Sequence, residues 1–231
     1  MFSLDPESIV ARVRASGQPT RLPTFGESVL RGMIGFTLVS LGGFAPWVIA
    51  GRWFYRNVGE VGLYAVCAVV FIGLSGPLLH RLIIGPGSLN RCYQMFSLAF
   101  LAYAIVWTAA WMTLARSSGG VTAGIVGSLS GIAVMGIVLT LGFKAPEATL
   151  KIIVALFITN LAGYFVGGWA HDGVLALKEG NALGLVLETQ IRSLLSKAAW
   201  GLCYGIGFGA GIGFAFYACQ AKARRRLTSQ A

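Results

Sequence analysis

The stretch GLCYGIGFGAGIGFAFY, Gly201 to Tyr217, carries glycine at 201, 205, 207, 209, 211 and 213. It supports three different readings. Gly205, Gly207 and Ala210 satisfy a dinucleotide-binding fingerprint, G-x-G-x-x-G/A. That fingerprint works only after a strand, before a helix, and with an acidic residue about 20 positions on. The surrounding sequence supplies none of these. Read by twos, the stretch is a strand or an ion filter lined by carbonyls. An isolated strand leaves its backbone unpaired in hydrocarbon, and the apolar run 198–219 is long enough to cross a bilayer as a helix. Read by fours, Gly201, Gly205, Gly209 and Gly213 form a glycine zipper that drifts about 40° per step around a helix. Gly207 and Gly211 fall on a different face. Small-xxx-small faces let helix backbones approach closely. The stretch therefore predicts a thin helix with two narrow faces, one against this chain and one against a second protomer. Gly127 with Gly131, and Gly163 with Gly167, are the matching small-residue grooves elsewhere.

Composition sets the environment of that helix. Of 231 residues, 56% are hydrophobic and only 11% charged, whereas soluble domains carry about 25% charged residues. Apolar runs near span length recur at 29–50, 61–79, 94–115, 121–142, 149–170 and 198–219. Each can cross roughly 30 Å of hydrocarbon, and each must be helical there because every backbone polar group needs an internal partner. The predicted fold is an all-α polytopic membrane bundle of six transmembrane helices, with short interfacial helices. Pro46, after Gly42 and Gly43, predicts a kink in the first span, and Gly76-Pro77 a bend in the second.

Residues 1–28 read as an N-terminal arm, and the first span as an uncleaved signal-anchor. The arm begins with a short amphipathic helix that Asp5 caps, Pro6 starts and Gly17 ends. Its face of Ile9, Val10 and Val13 suits a membrane surface or a solvated arm. Residues 220–231 form a basic tail. Segment 182–197 carries apolar residues at helical spacing and predicts an interfacial helix feeding the last span. A seventh span over 173–190 is the alternative, and it requires burying Lys178, Glu179 and Asn181.

Net charge is +10. In this composition the charge reads as membrane orientation and contact with anionic lipids rather than nucleic-acid binding. Twelve Lys and Arg fall on the side of the termini and six on the other. The positive-inside rule then predicts a bacterial-type inner membrane with both termini cytoplasmic. All six tryptophans fall toward the opposite, outer side, although aromatic belts normally mark both interfaces.

The spans hold little catalytic chemistry. No Asp or Glu lies within them, and His80 and His171 lie at opposite ends of the bundle. Carboxylate-coupled ion transport and a shared haem or metal are disfavoured, and no cofactor, metal or catalytic residue is assigned. The four cysteines lack a CxxC pair and read as packing residues. SLSG at 128–131, in the fourth of six spans, is similar to the GxSG of rhomboid intramembrane proteases. It departs at Ser128, and the last span lacks the family's histidine. Without a base Ser130 is a weak nucleophile, so Ser128 and Ser130 are assigned to packing.

Asn160, with Thr159, is the most central strongly polar position. It serves either as an interhelical hydrogen bond or as a pathway lining together with Tyr103, Tyr164 and Thr108. The connection RLIIGPGSLNR, with His80 before it and Arg81 and Arg91 at its ends, offers a site for phosphate or an anionic headgroup. The functional expectation is a transporter or channel for a small solute. The alternatives are a structural or accessory subunit of a membrane complex and, less supported, an enzyme acting on lipid headgroups.

Overall fold

The computed structural model describes residues 3–17, 21–177, 184 and 186–229. Its regular structure is helical, with no strand among the described residues. The helices are α1 (Pro6–Ala15), α2 (Phe25–Gly43), α3 (Ala45–Asn57), α4 (Gly59–Leu79), α5 (Ser88–Ser118), α6 (Gly120–Gly142), α7 (Thr149–Leu175), α8 (Thr189–Cys219) and α9 (Ala221–Thr228). Six helices, counting α2 with α3 as one, are long and apolar enough to cross a membrane. The protein is an integral, multi-pass, all-α membrane bundle. An even number of spans places both termini at one end of it, called here the terminal end, with the distal end opposite.

The observed spans are longer than the apolar runs predicted. The first begins at Phe25 rather than 29, started by a capping box. The Thr24 hydroxyl accepts from the Glu27 amide at 3.2 Å, and the Glu27 carboxylate accepts from the Thr24 amide at 2.9 Å. The helix is interrupted at Phe44 (φ −87°, ψ −5°), where Pro46 opens α3, and the backbone leaves helical angles inside α3 at Ala50 (φ −127°, ψ 17°). Single residues turn the chain at the distal end. Val58 lies between α3 and α4 and Gly119 between α5 and α6, and Gly59 (φ 78°), which opens α4, and Gly119 (φ 81°) use backbone angles that side-chain-bearing residues rarely adopt.

The spans pack in a ring. α2 lies on α4, α4 on α5, α5 on α6, α6 on α7 and α7 on α8, and α8 closes back onto α2. The closure depends on glycine. A Cβ at Gly209 or Gly213 would lie under 3.0 Å from the α2 backbone at Gly32 or Ser28, and one at Gly205 would meet the Cα of Thr37. A Cβ at Gly207 or Gly211 would strike α7 at Gly163 and Thr159, and one at Gly163 would strike Cys203. Gly167 approaches Trp200 of α8. The Ser40 hydroxyl donates to the Gly201 carbonyl at 2.7 Å, within this seam. Both narrow faces of α8 are thus occupied by the same chain, which corrects the expectation that one of them meets a second protomer. Gly127 and Gly131 do not meet α8. They receive Trp107 and Tyr103 of α5.

Two peripheral expectations are also corrected. The apolar face of α1 neither lies on lipid nor is solvated. Leu4, Ile9, Val10 and Val13 are buried in the main core, and α1 packs on α9 with Glu7 and Arg226 in an ion pair of 2.7 Å. The basic tail is ordered as α9, whose Ala223 is buried. Within segment 182–197, the residues from Thr189 onward are the start of α8 rather than a separate interfacial helix. Residues 178–183 and 185 lie outside the described residues, and 184 and 186–188 are not helical, so the described part of 173–190 forms no seventh span. At the terminal end the buried Gln220 amide joins the ring to the α4–α5 connection. It donates to the carbonyls of Leu82 (2.8 Å) and Phe216 (2.9 Å) and accepts from the Ile84 amide (2.8 Å).

Candidate functional site

The distal half of the ring encloses a cavity of about 330 Å³, lined by five of the chain's helices. α3 and its cap contribute Phe44, Trp47 and Tyr55. α4 contributes Leu63, Tyr64, Cys67, Ala68 and Phe71. α5 contributes Phe100, Tyr103, Ala104, Trp107, Thr108 and Trp111, α7 Tyr164, and α8 Trp200 and Tyr204. The spacing in α5 and α8 explains why these side chains converge. Positions three and four apart share a helix face, so Phe100, Tyr103, Trp107 and Trp111 form one stripe, and Trp200, Tyr204 and Phe208 another. Their rings stack along each stripe. Trp107 lies on Trp111 at 5.4 Å, Trp200 on Tyr204 at 5.2 Å, and Tyr204 on Phe208 at 5.6 Å.

The floor is polar at one point and aromatic beyond it. The Tyr103 and Tyr204 hydroxyls meet at 3.3 Å, with both side chains buried. Below them, toward the terminal end, Phe36, Phe96 and Phe208 are fully buried. Phe36 touches Phe208 at 4.9 Å and Phe71 at 5.8 Å, while Phe96 stacks on Phe100 at 5.3 Å. This packing seals the cavity from the terminal side. At the rim, the Tyr64 hydroxyl donates to Glu60 at 2.6 Å. Lys197 Nζ sits 5.1 Å from the Trp47 ring centroid and donates to the Trp47 carbonyl at 3.4 Å. The cavity therefore offers flat apolar walls, phenol and indole donors, and one charge of each sign at its edge.

The structure divides the residues proposed as a pathway. Tyr103, Thr108 and Tyr164 line the cavity. Thr159 and Asn160 do not. The Thr159 hydroxyl donates to the Ala155 carbonyl at 2.8 Å and lies against Gly211 in the α7–α8 seam. Asn160 is fully buried, and neither end of its amide has a partner, so it makes no interhelical hydrogen bond. The Ser128 hydroxyl is likewise buried and unpartnered, whereas Ser130 is turned back on its own helix, donating to the Val126 carbonyl at 2.7 Å. The headgroup candidates make local contacts. His80 Nδ1 lies 3.0 Å from the Ser88 hydroxyl, Arg91 donates to the Pro86 carbonyl, and Arg81 is exposed. No three His, Cys, Asp or Glu come together as a metal site among the described residues.

Compared with protein-family models, with curated proteins and with solved structures, the chain matches none.

Four of the six tryptophans, Trp47, Trp107, Trp111 and Trp200, line the cavity, while Trp53 and Trp169 are exposed. This accounts for an asymmetry that composition left unexplained: most of the distal tryptophans build a pocket rather than an interfacial belt. Sequence reasoning missed the cavity role of these four, and also that of Tyr55, Tyr64 and Tyr204. The available signal was the one-sided tryptophan distribution combined with aromatic spacing of three and four.

Proposed function

We propose that the protein is a membrane transporter that takes up a small, mainly apolar solute, carrying one or two hydrogen-bonding groups, into the distal cavity. One observation supports this above the others: five helices contribute an aromatic lining to one central cavity, which is sealed toward the terminal end by Phe36, Phe96 and Phe208. Its volume, about 330 Å³, falls at the small end of ligand pockets, roughly 300–1,000 Å³, which are typically apolar with a few placed polar groups. A cavity lined by several helices and packed shut on the terminal side fits one state of an alternating-access cycle. The excess of basic residues near the termini supports a cytoplasmic terminal end in a bacterial-type inner membrane and contact with anionic lipids there.

The test uses single cysteines in a background with Cys67, Cys92, Cys203 and Cys219 replaced by Ala. Thr108→Cys, in the cavity, is expected to react with an impermeant methanethiosulfonate added at the distal side, and 4-bromophenol, an apolar ring with one hydroxyl, to protect it. Phe96→Cys, below the floor, is expected to react from the terminal side in a second conformation. If Thr108→Cys cannot be reached from the distal side, the open cavity is wrong. If Phe96→Cys is never reached from the terminal side, the cavity is a closed receptor pocket and transport is wrong.

A further inference from the structure

A second concavity lies at the terminal end, on the lipid-facing side of α5 and α6. Its walls are Leu98, Val138 and Leu141, and its upper edge is Ser3, Leu4, Asp5, Ser8, Gly142 and Lys144. Leu98 and Leu141 are 46% and 67% exposed, as hydrocarbon-facing leucines of a span are. The wall is thus apolar on the membrane side and polar where the headgroups lie. The polar edge carries Asp5 and Lys144, and Arg12 stands behind it, feeling Asp5 electrostatically and donating to the Ser3 carbonyl at 2.6 Å. Asp5 feels Lys144 electrostatically, yet neither takes part in an ion pair among the described residues. The Asp5 carboxylate accepts from the Ser8 amide at 3.0 Å and the Ser8 hydroxyl at 2.8 Å, which fixes its position and leaves acceptor capacity on both oxygens.

Lys144 is unusual in its backbone. It has φ 51° directly after the last turn of α6, where glycine or asparagine is the low-cost residue. Ser3, on the facing edge, also has positive φ (49°). Two residues with left-handed backbone border the same groove, and one of them is an exposed lysine.

We infer that this groove holds one zwitterionic aminophospholipid, its phosphate on Lys144, its primary ammonium on Asp5 and an acyl chain along Leu98, Val138 and Leu141. The order of charges selects the headgroup. An ammonium with N–H groups donates to a carboxylate, which a quaternary amine cannot do, and a headgroup that is only anionic brings no cation for Asp5. The apolar wall below the charges selects a lipid over free phosphate.

Native mass spectrometry of the full chain in detergent tests this, with palmitoyl-oleoyl phosphatidylethanolamine, phosphatidylcholine and phosphatidylglycerol added at equal concentration. One phosphatidylethanolamine is expected to be retained about fivefold over each of the others, the scale of one exposed charge pair. Asp5→Ser keeps a capping side chain while removing the charge, and is expected to abolish the preference over phosphatidylglycerol. Lys144→Asn keeps a residue that tolerates the left-handed backbone, and is expected to weaken retention of all three lipids. Equal retention of the three by the wild type, or stronger retention of phosphatidylglycerol, overturns the assignment without reference to any variant. An undiminished preference in a folded Asp5→Ser protein overturns it as well.

Discussion

The Tyr103 and Tyr204 hydroxyls, from helices far apart in sequence, meet at 3.3 Å on the floor of the aromatic cavity. Each is the other's only side-chain partner among the described residues. Removing one hydroxyl strands the other in an apolar surrounding, whereas removing both does not. Tyr103→Phe and Tyr204→Phe are each expected to lower stability by about 1 kcal/mol, and the double variant by less than the sum of the two. Melting temperatures of the four proteins in one detergent close the cycle. Additive losses would show that the contact contributes nothing.

Gly209 and Gly73 make opposite predictions for the same substitution. A Cβ at Gly209 falls under 3.0 Å from the Gly32 backbone, while one at Gly73 meets nothing within 4 Å. Gly209→Ala is expected to cost about 1–3 kcal/mol by overpacking. Gly73→Ala is expected to gain up to about 1 kcal/mol from helix propensity. Both effects read out in thermal melting of the isolated protein. Because α2 and α7 belong to the same chain as α8, the mass of the particle is expected to stay constant.

Asn160 has no partner for its carbonyl oxygen or its amide nitrogen although it is fully buried. An unmet amide of this kind costs about 1–3 kcal/mol, and an apolar residue of similar shape relieves the cost. Asn160→Leu is therefore expected to raise the melting temperature. In a transport assay the same variant also reports whether Asn160 meets solute in another conformation. A more stable protein with lost uptake indicates that it does, and one with unchanged uptake that it does not.

The α1 cap responds to acid. Burial pushes the Asp5 carboxyl upward, but the amide and hydroxyl of Ser8, with Lys144 nearby, outweigh burial and hold it below its ordinary value of 3.8. A depressed folded-state pKa stabilises the ionised form. The contribution is complete above about pH 4 and is lost as pH falls through the lower folded value. The protection of the α1 amides, their exchange rate relative to the intrinsic rate at each pH, is expected to be flat from neutrality to about pH 5 and to fall below pH 4. In Asp5→Ala the lower protection is expected at every pH, with a loss of about 1 kcal/mol.

The span count, the break before Pro46 and the cap of α1 were legible in sequence, because each follows from local rules: apolar length, proline geometry and one side-chain acceptor. The existence of narrow faces on α8 was also visible in the glycine spacing. What covers them was not, because a small-residue face fits a helix of the same chain or of another copy equally well. The same limit hid the docking of α1, since Ile9, Val10 and Val13 make one apolar face whether it meets lipid or protein. The cavity was half legible. Tyr103, Thr108 and Tyr164 stand out by polarity near midspan and line it. The tryptophans do not stand out, because an interfacial belt predicts the same positions along the helix axis, and only the packing shows which way they turn. Asn160 stands out by polarity alone, and its isolation follows from neighbours on other helices.

Glycine-rich helices are usually read as places where a chain can bend. Here the opposite follows from the way Gly205, Gly209 and Gly213 press on α2 and Gly207 and Gly211 on α7. Backbone resting on backbone has no rotamer to change and no side chain to fold away, so α2, α8 and α7 behave as a single stiff slab. The opposite wall of the cavity is held by rings that can swing and slide, and it includes α3, interrupted at Phe44 and again at Ala50. Any widening of the aromatic chamber then belongs to the α3–α4–α5 side, which hinges against a keel that does not move.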